Sequence, residues 1–175
     1  MTSEETIDVL DLNGTPTGAR KPKSQIHRDG DWHRAAHVWI VSPDRKVLLQ
    51  RRSPKKLNYP DLWDVSVAGH VSAGETAVEA AIRETQEEIG LALRPDELTW
   101  IGALRQSSTL RNGTYIDNEI YLVRREIELG QLIPQPDEVA DLQIVCVEDL
   151  ERRMRDGDPM MVPHPGEYLL LMNSL

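Results

Sequence analysis

Hydrophobic and polar positions along the 175-residue chain follow two periods, one of two residues and one near 3.6, and the changes of period mark the elements. Residues 6–11 alternate well enough to predict an edge strand, and Asn13-Gly14-Thr15-Pro16-Thr17-Gly18 carries the turn chemistry to fold it back. Residues 19–34 show no period and predict an irregular continuation, so 1–34 reads as a hairpin arm. The run His37-Val38-Trp39-Ile40-Val41 is nearly continuously apolar, and Val47-Leu48-Leu49 follows the turn Ser42-Pro43-Asp44, which makes a buried hairpin. Residues 63–68 predict a third strand ending before Gly69. A strong helical pattern then runs from about Thr76 to Ile89 and stops at Gly90. Residues 98–108 and 115–125 predict two strands joined by an Asn112-Gly113 turn, another strand lies near 142–147, and short helices are expected at 148–156 and 165–173. Strands, then a helix, then more strands point to an α/β (α+β) domain with a mixed sheet. With no repeat or linker in 175 residues, a single domain is expected over 1–175.

Composition narrows the class. The chain has 20 Lys+Arg against 29 Asp+Glu, a net charge of −9, so a nucleic-acid backbone would be repelled and any anionic ligand must be met by a local cation. No stretch approaches the roughly 20 apolar residues of a membrane span. Cys146, the only cysteine, lies between Val145 and Val147 and reads as a small core residue. The acidic start, Met-Thr-Ser-Glu-Glu-Thr, has neither the basic nor the apolar region of a secretory signal, and a cytoplasmic protein is expected. In that setting the sequons at Asn13 and Asn112 read as turns, not glycan acceptors.

The chemistry concentrates on the helix. On a wheel of 100° per residue, Glu84, Glu87 and Glu88 share an arc of about 100°, with Ala77, Ala80 and Ala81 on the same arc leaving room for something bound. Val78, Ile82, Thr85 and Ile89 form the adjacent apolar stripe, where the Thr85 hydroxyl must bond back to a carbonyl. Thr76-Ala-Val-Glu79 fits a capping box; Ser72-Ala-Gly-Glu75 fits one as well, and Thr76 is the preferred cap. Like charges at Glu84 and Glu88 oppose the helix unless compensated. Arg83 can neutralise Glu87, and the remaining carboxylates suit a hard cation with oxygen ligands, Mg²⁺ or Mn²⁺.

The spacing is more specific than a solvated acidic face. Gly69, five residues, Glu75, seven residues, then Arg83-Glu84-x-x-Glu87-Glu88-x-Gly90 resembles the Nudix box at all seven fixed positions over residues 69–91. Only Thr85, where the family more often has an aliphatic residue, departs from it. The resemblance implies a Nudix fold, an α/β/α sandwich around a mixed sheet. It further implies Glu84, Glu87 and Glu88 as metal ligands with the Ala68 carbonyl, Arg83 and Glu75 as residues holding the helix and loop, and hydrolysis of a small-molecule diphosphate such as a nucleoside diphosphate derivative. Glu88 or Glu87 is the first choice of general base and Glu119 the second. Many members are dimers, and the sequence marks no interface for a homodimer.

A second resemblance, to type I isopentenyl diphosphate isomerases of the same fold, rests on Gly69-His70, on His27 and His33 ahead of the first buried strand, on Asp117-Asn118-Glu119 and on the Asn13-Gly14 arm. It implies a second metal site of His27, His33, His70, Asp117 and Glu119. The isomerase cysteine, however, is replaced by Ala68, and the chain keeps three glutamates where isomerases lack two. The expected enzyme is therefore an isomerase-like branch with hydrolase machinery; an isomerase and a non-catalytic nucleotide sensor are the alternatives. In the basic run Gln50-Arg51-Arg52-Ser53-Pro54-Lys55-Lys56, Arg51 is the best candidate for a substrate contact. Trp39, Trp63 and Trp100 read as core, and Trp32 as a cover for the site.

Overall fold

A computed structural model describes residues 4–108 and 114–175. Its elements are β1 (Thr6–Leu10), β2 (Pro16–Pro22), α1 (Lys23–Asp29), β3 (Trp32–Val41), β4 (Lys46–Arg52), β5 (Trp63–Asp64), β6 (Val67–His70), α2 (Ala77–Ile89), β7 (Leu98–Ser108), β8 (Thr114–Arg124), β9 (Val139–Cys146), α3 (Val147–Asp156) and α4 (Pro165–Ser174). The strands form one mixed sheet in which β3 runs parallel to β8 and the remaining ladders are antiparallel. Strand β3 organises it, pairing with β1, β4, β6 and β8.

Successive side chains of β3 point to opposite faces and divide the core. Ala36, Val38 and Ile40 pack with Ala80, Ala81 and Ile89 of α2, whereas Trp39 and Val41 pack with Val147 and Leu150 of α3 and Leu171 of α4. The result is the expected α/β/α sandwich, with α2 on one side and α3 and α4 on the other. No helix among the described residues is long and apolar enough to cross a membrane.

Several expectations need correction. Residues 19–34 are not irregular: they supply the end of β2, all of α1 and the start of β3. Strand β2 is almost wholly exposed and is held by backbone pairing to β1, so its side chains carry no alternation to read, and β2, not β1, is the outer strand. Helix α1 buries only Ile26, too little for a periodic signal. The strand expected over 63–68 is two strands, because the chain leaves β4 after Asp64 and joins β3 at Val67. Between them the Ser66 hydroxyl donates to the Leu48 carbonyl at 2.6 Å and accepts from the Ile40 amide at 2.9 Å, joining β4 to β3 where their own ladder has ended. Cys146 is exposed, at the junction of β9 and α3. Trp39 is core, but Trp100 is 59% exposed. The Asn112-Gly113 turn lies outside the described residues.

Helix α2 starts and stops as its sequence predicts. The Thr76 side chain accepts from the Glu79 amide at 3.2 Å while Glu79 accepts from the Thr76 amide at 2.8 Å, and Gly90 closes the helix with a left-handed φ of 70°. The buried Thr85 hydroxyl bonds back to Ala81 at 2.6 Å. Replacing Thr76 with Ala is expected to cost about 1 kcal/mol of unfolding free energy in urea denaturation, with Thr76→Ser close to wild type.

Candidate active site

Strand β6 and the face of α2 laid against it build the site. The Glu84 side chain lies directly over Gly69: a Cβ at that glycine would fall 2.0 Å from the Glu84 Cδ, so only glycine admits this approach. One turn on, Glu88 is 4% exposed and accepts from the Gln50 amide at 3.1 Å and from the Ala68 backbone N–H at 3.4 Å. Gln50 shares a face of β4 with Leu48, which packs in the α2-side core, and that alternation brings a polar group under α2. Ala80 and Ala81 do not leave open room. Both are fully buried against the sheet, and their small size lets α2 come close enough for Glu84 and Glu88 to reach β6.

Arg83 ties the helix to the loop before it. Its Nε and Nη2 donate to the two oxygens of Glu75, each at 2.9 Å, Nη2 also reaches the His70 carbonyl at 3.0 Å, and Nη1 donates to Glu84 at 2.8 Å and Glu87 at 3.3 Å. The Glu75–Arg83 pair is the bidentate geometry a guanidinium favours. Burial raises the pKa of Glu84, against the pull of Arg83. Burial, with the Glu84 charge beside it, pushes Glu88 up to about 8 despite the nearby Lys56 ammonium. A buried and a partly buried carboxylate with raised pKa values fit a divalent cation held by oxygens. Among the described residues, though, the three glutamates do not draw together as a preformed cage. The Glu87 side chain is 61% exposed on the Arg83 guanidinium.

The histidines are brought together. His27 from α1, His33 from β3 and His70 from β6 place their ring nitrogens within 4.8 Å of one another, His27 Nε2 facing His70 Nε2 at 3.1 Å. His33 directs Nδ1 to the Asp31 carbonyl at 3.0 Å, leaving Nε2 buried without a partner. Burial lowers all three pKa values, His27 to about 4, so three neutral imidazoles converge on one point. Asp117 and Glu119 are held elsewhere. Asp117 takes two bonds from Arg105 at 2.6 and 2.7 Å, and Glu119 accepts from the Trp100 indole at 2.8 Å. Arg51 faces Asp61 at 3.7 Å. Trp32 lies beneath the Arg105 guanidinium, 4.4 Å from the ring centre.

Sequence reasoning missed Gln50 as a partner of Glu88. The signal was a polar residue two positions after Leu48, on the same face of β4 and continuing its apolar run. It also passed over Lys56, in the same basic run as Arg51, whose charge acts on both Glu88 and His70 and whose ammonium is paired with Glu138.

The chain matches the NUDIX domain family over residues 31–164. Nudix hydrolase 3 of Arabidopsis thaliana is 41% identical over 174 residues, covering 95% of this chain and 22% of that protein, so the chain spans about a fifth of that relative's length. An isopentenyl-diphosphate Delta-isomerase of Clavibacter sepedonicus is 33% identical over 147 residues, covering 83% of this chain and 76% of that one. Among solved structures, DR0079 from Deinococcus radiodurans has the same fold, with a TM-score of 0.69 at 23% identity over 96% of this chain and 98% of that one.

Two outcomes follow from the geometry. Gly69→Ala should displace Glu84 and lower Mn²⁺ affinity, measured by electron paramagnetic resonance, at least ten-fold while the protein stays folded; unchanged affinity would contradict the close approach. The folded-state pKa of Glu88 lies above its ordinary value of 4.5, at about 8, so this carboxyl costs the metal-free protein stability progressively as pH rises between those values. Glu88→Gln should therefore raise the unfolding temperature by several degrees at pH 8 and by little at pH 5, and equal shifts at both would show that Glu88 is not held neutral.

Proposed function

We propose that this chain, which belongs to the Nudix family, is a divalent-metal-dependent hydrolase that cleaves the diphosphate linkage of a nucleoside diphosphate derivative or related organic diphosphate. The observation that supports this most is the pair Glu84, partly buried on Gly69, and Glu88, buried on Ala68, both with raised pKa values. Glu84, Glu87 and Glu88 would hold Mg²⁺ or Mn²⁺, with the Ala68 carbonyl as a further ligand. Bound there, the ion would neutralise the diphosphate and acidify a water molecule.

The remaining work falls to this chain's own groups. Glu75, through Arg83, fixes the rotation of α2 and keeps Glu84 and Glu87 on the side facing the loop. Gln50 orients the Glu88 carboxyl. Glu87, or Glu88 in its ionised form, takes the proton of the attacking water as the water oxygen bonds to phosphorus; the bridging P–O bond breaks and the second product leaves as a phosphate that keeps the bridging oxygen. Glu119 could serve as base only after leaving the Trp100 indole. Arg51, with Lys56 from the same run, would meet the phosphate oxygens. The three-histidine cluster is proposed as a second metal site, since three neutral imidazoles with a buried unpartnered nitrogen suit a transition metal.

That histidine cluster, together with the isomerase-named relative, favours isopentenyl diphosphate isomerisation as the second reading. Against it, Ala68 carries no group that can transfer a proton. A panel of nucleoside di- and triphosphates, ADP-ribose, a dinucleotide and isopentenyl diphosphate, assayed with Mg²⁺ or Mn²⁺, separates the two. Metal-dependent cleavage of a panel member is expected, reduced about 10²-fold or more in Glu87→Gln or Glu88→Gln. Isomerisation without cleavage would overturn the hydrolase reading.

A further inference from the structure

The face of the sheet opposite α2 holds a second group of titratable side chains that the hydrolytic reading does not use. His37 on β3 pairs in register with Ala68 of β6. Its Nδ1 lies 2.9 Å from Oε2 of Glu167, a fully buried carboxylate in the first turn of α4. The other Glu167 oxygen accepts from the Trp39 indole at 2.9 Å, which turns Oε2 toward the imidazoles. His164, just before α4, brings its Nδ1 to 3.7 Å from the same Oε2, and that nitrogen is buried without a hydrogen-bond partner. The ligand atoms of His37, His164 and Glu167 all lie within 4.8 Å of one another.

The surroundings are those of a metal ligand set. The far nitrogen of His164, Nε2, is bound to Asp64 Oδ1 at 2.8 Å, and Asp64 is in turn held by Arg52 at 2.8 Å and by the Val65 amide at 2.8 Å. The carboxylate on the outer nitrogen fixes the ring's orientation and turns the inner nitrogen toward Glu167. Tetrahedral zinc with bonds near 2.1 Å separates its ligands by about 3.4 Å, between the 2.9 and 3.7 Å spacings observed here. Against the effect of burial, Asp64, paired with the Arg52 guanidinium, and Glu167 hold the His164 pKa up to about 9, so an ion entering here would take the place of a proton on His164.

We propose that His37 Nδ1, His164 Nδ1 and Glu167 Oε2 bind one zinc-class ion, which pins α4 to β3 on the face of the sheet away from the Nudix helix. Two imidazoles and a carboxylate are borderline ligands, suited to Zn²⁺ or Co²⁺ and not to Mg²⁺, so this site is chemically separate from Glu84 and Glu88. The ion would replace the His37–Glu167 hydrogen bond with two stronger contacts and occupy the orphaned nitrogen of His164.

Co²⁺ titration of the full chain in excess Mg²⁺ tests this, with His27→Ala/His70→Ala removing the three-histidine cluster. That variant should take up one Co²⁺ per chain, with the visible absorption of a tetrahedral ion. Adding His164→Asn should abolish the uptake, and adding Glu167→Gln should weaken it at least ten-fold. X-ray absorption of the zinc-loaded double variant should show two imidazoles and a carboxylate, a reading that needs no further mutation if the triple variants unfold. The proposal is overturned if the folded double variant binds no Co²⁺, if uptake is indifferent to His164→Asn in folded protein, or if the absorption edge shows oxygen ligands alone; in each case the cluster is a hydrogen-bonded network and nothing more.

Discussion

The placement of two carboxyl groups on one helix face, Glu88 buried and Glu84 partly so, governs how the rest of this molecule is arranged. Glu84 and Glu88 lie one turn apart on α2 and are pressed toward β6, where burial raises the pKa of both. A helix does not hold such a pair without support. Here the support is local and specific: a glycine that lets Glu84 approach the strand, an amide and a glutamine that bond Glu88, and Arg83 anchored on Glu75. Each partner comes from a different segment, and the sheet is what brings β4, β6 and the loop before α2 to one place.

Strand β3 supplies the second organising constraint. Its two faces serve different purposes, because alternate side chains enter different cores. Ala36, Val38 and Ile40 support α2, whereas His33, His37 and Trp39 belong to the other parity. His33 joins the three-histidine cluster, and His37 and Trp39 both reach Glu167 on α4. The polar groups on that parity are not solvated decoration: His33 and His37 are buried, and each is matched to partners from distant elements. The molecule thus presents oxygen donors beneath α2 and imidazole donors on β3, a division that suits hard and borderline cations respectively.

The chemistry of α2 was legible because every relation in it is local. A capping box, a C-terminal glycine and carboxylates at i, i+3 and i+4 follow from helix geometry alone. The same holds for the apolar runs of β3 and β4. Reading failed where pairing, not side-chain pattern, makes the element. Strand β2 is exposed along its length, α1 buries one residue, and the partner change at Ser66 is invisible until β3 and β4 are known to part there. Ala80 and Ala81 were read as clearance above the helix, and they are instead the surface by which it packs.

The sequence by itself determined the fold class, the helix that carries the acidic cluster and the identity of the three histidines, since local spacing and a specific motif carry that information. Tertiary structure decided which of those side chains meet. It joined His27, His33 and His70 and left Asp117 with Arg105 and Glu119 with Trp100. It also set Glu167 beside His37, 130 positions away. Side chains so far apart along the chain have no common period to betray them; only the pairing of β3 and the docking of α4 bring them within bonding distance.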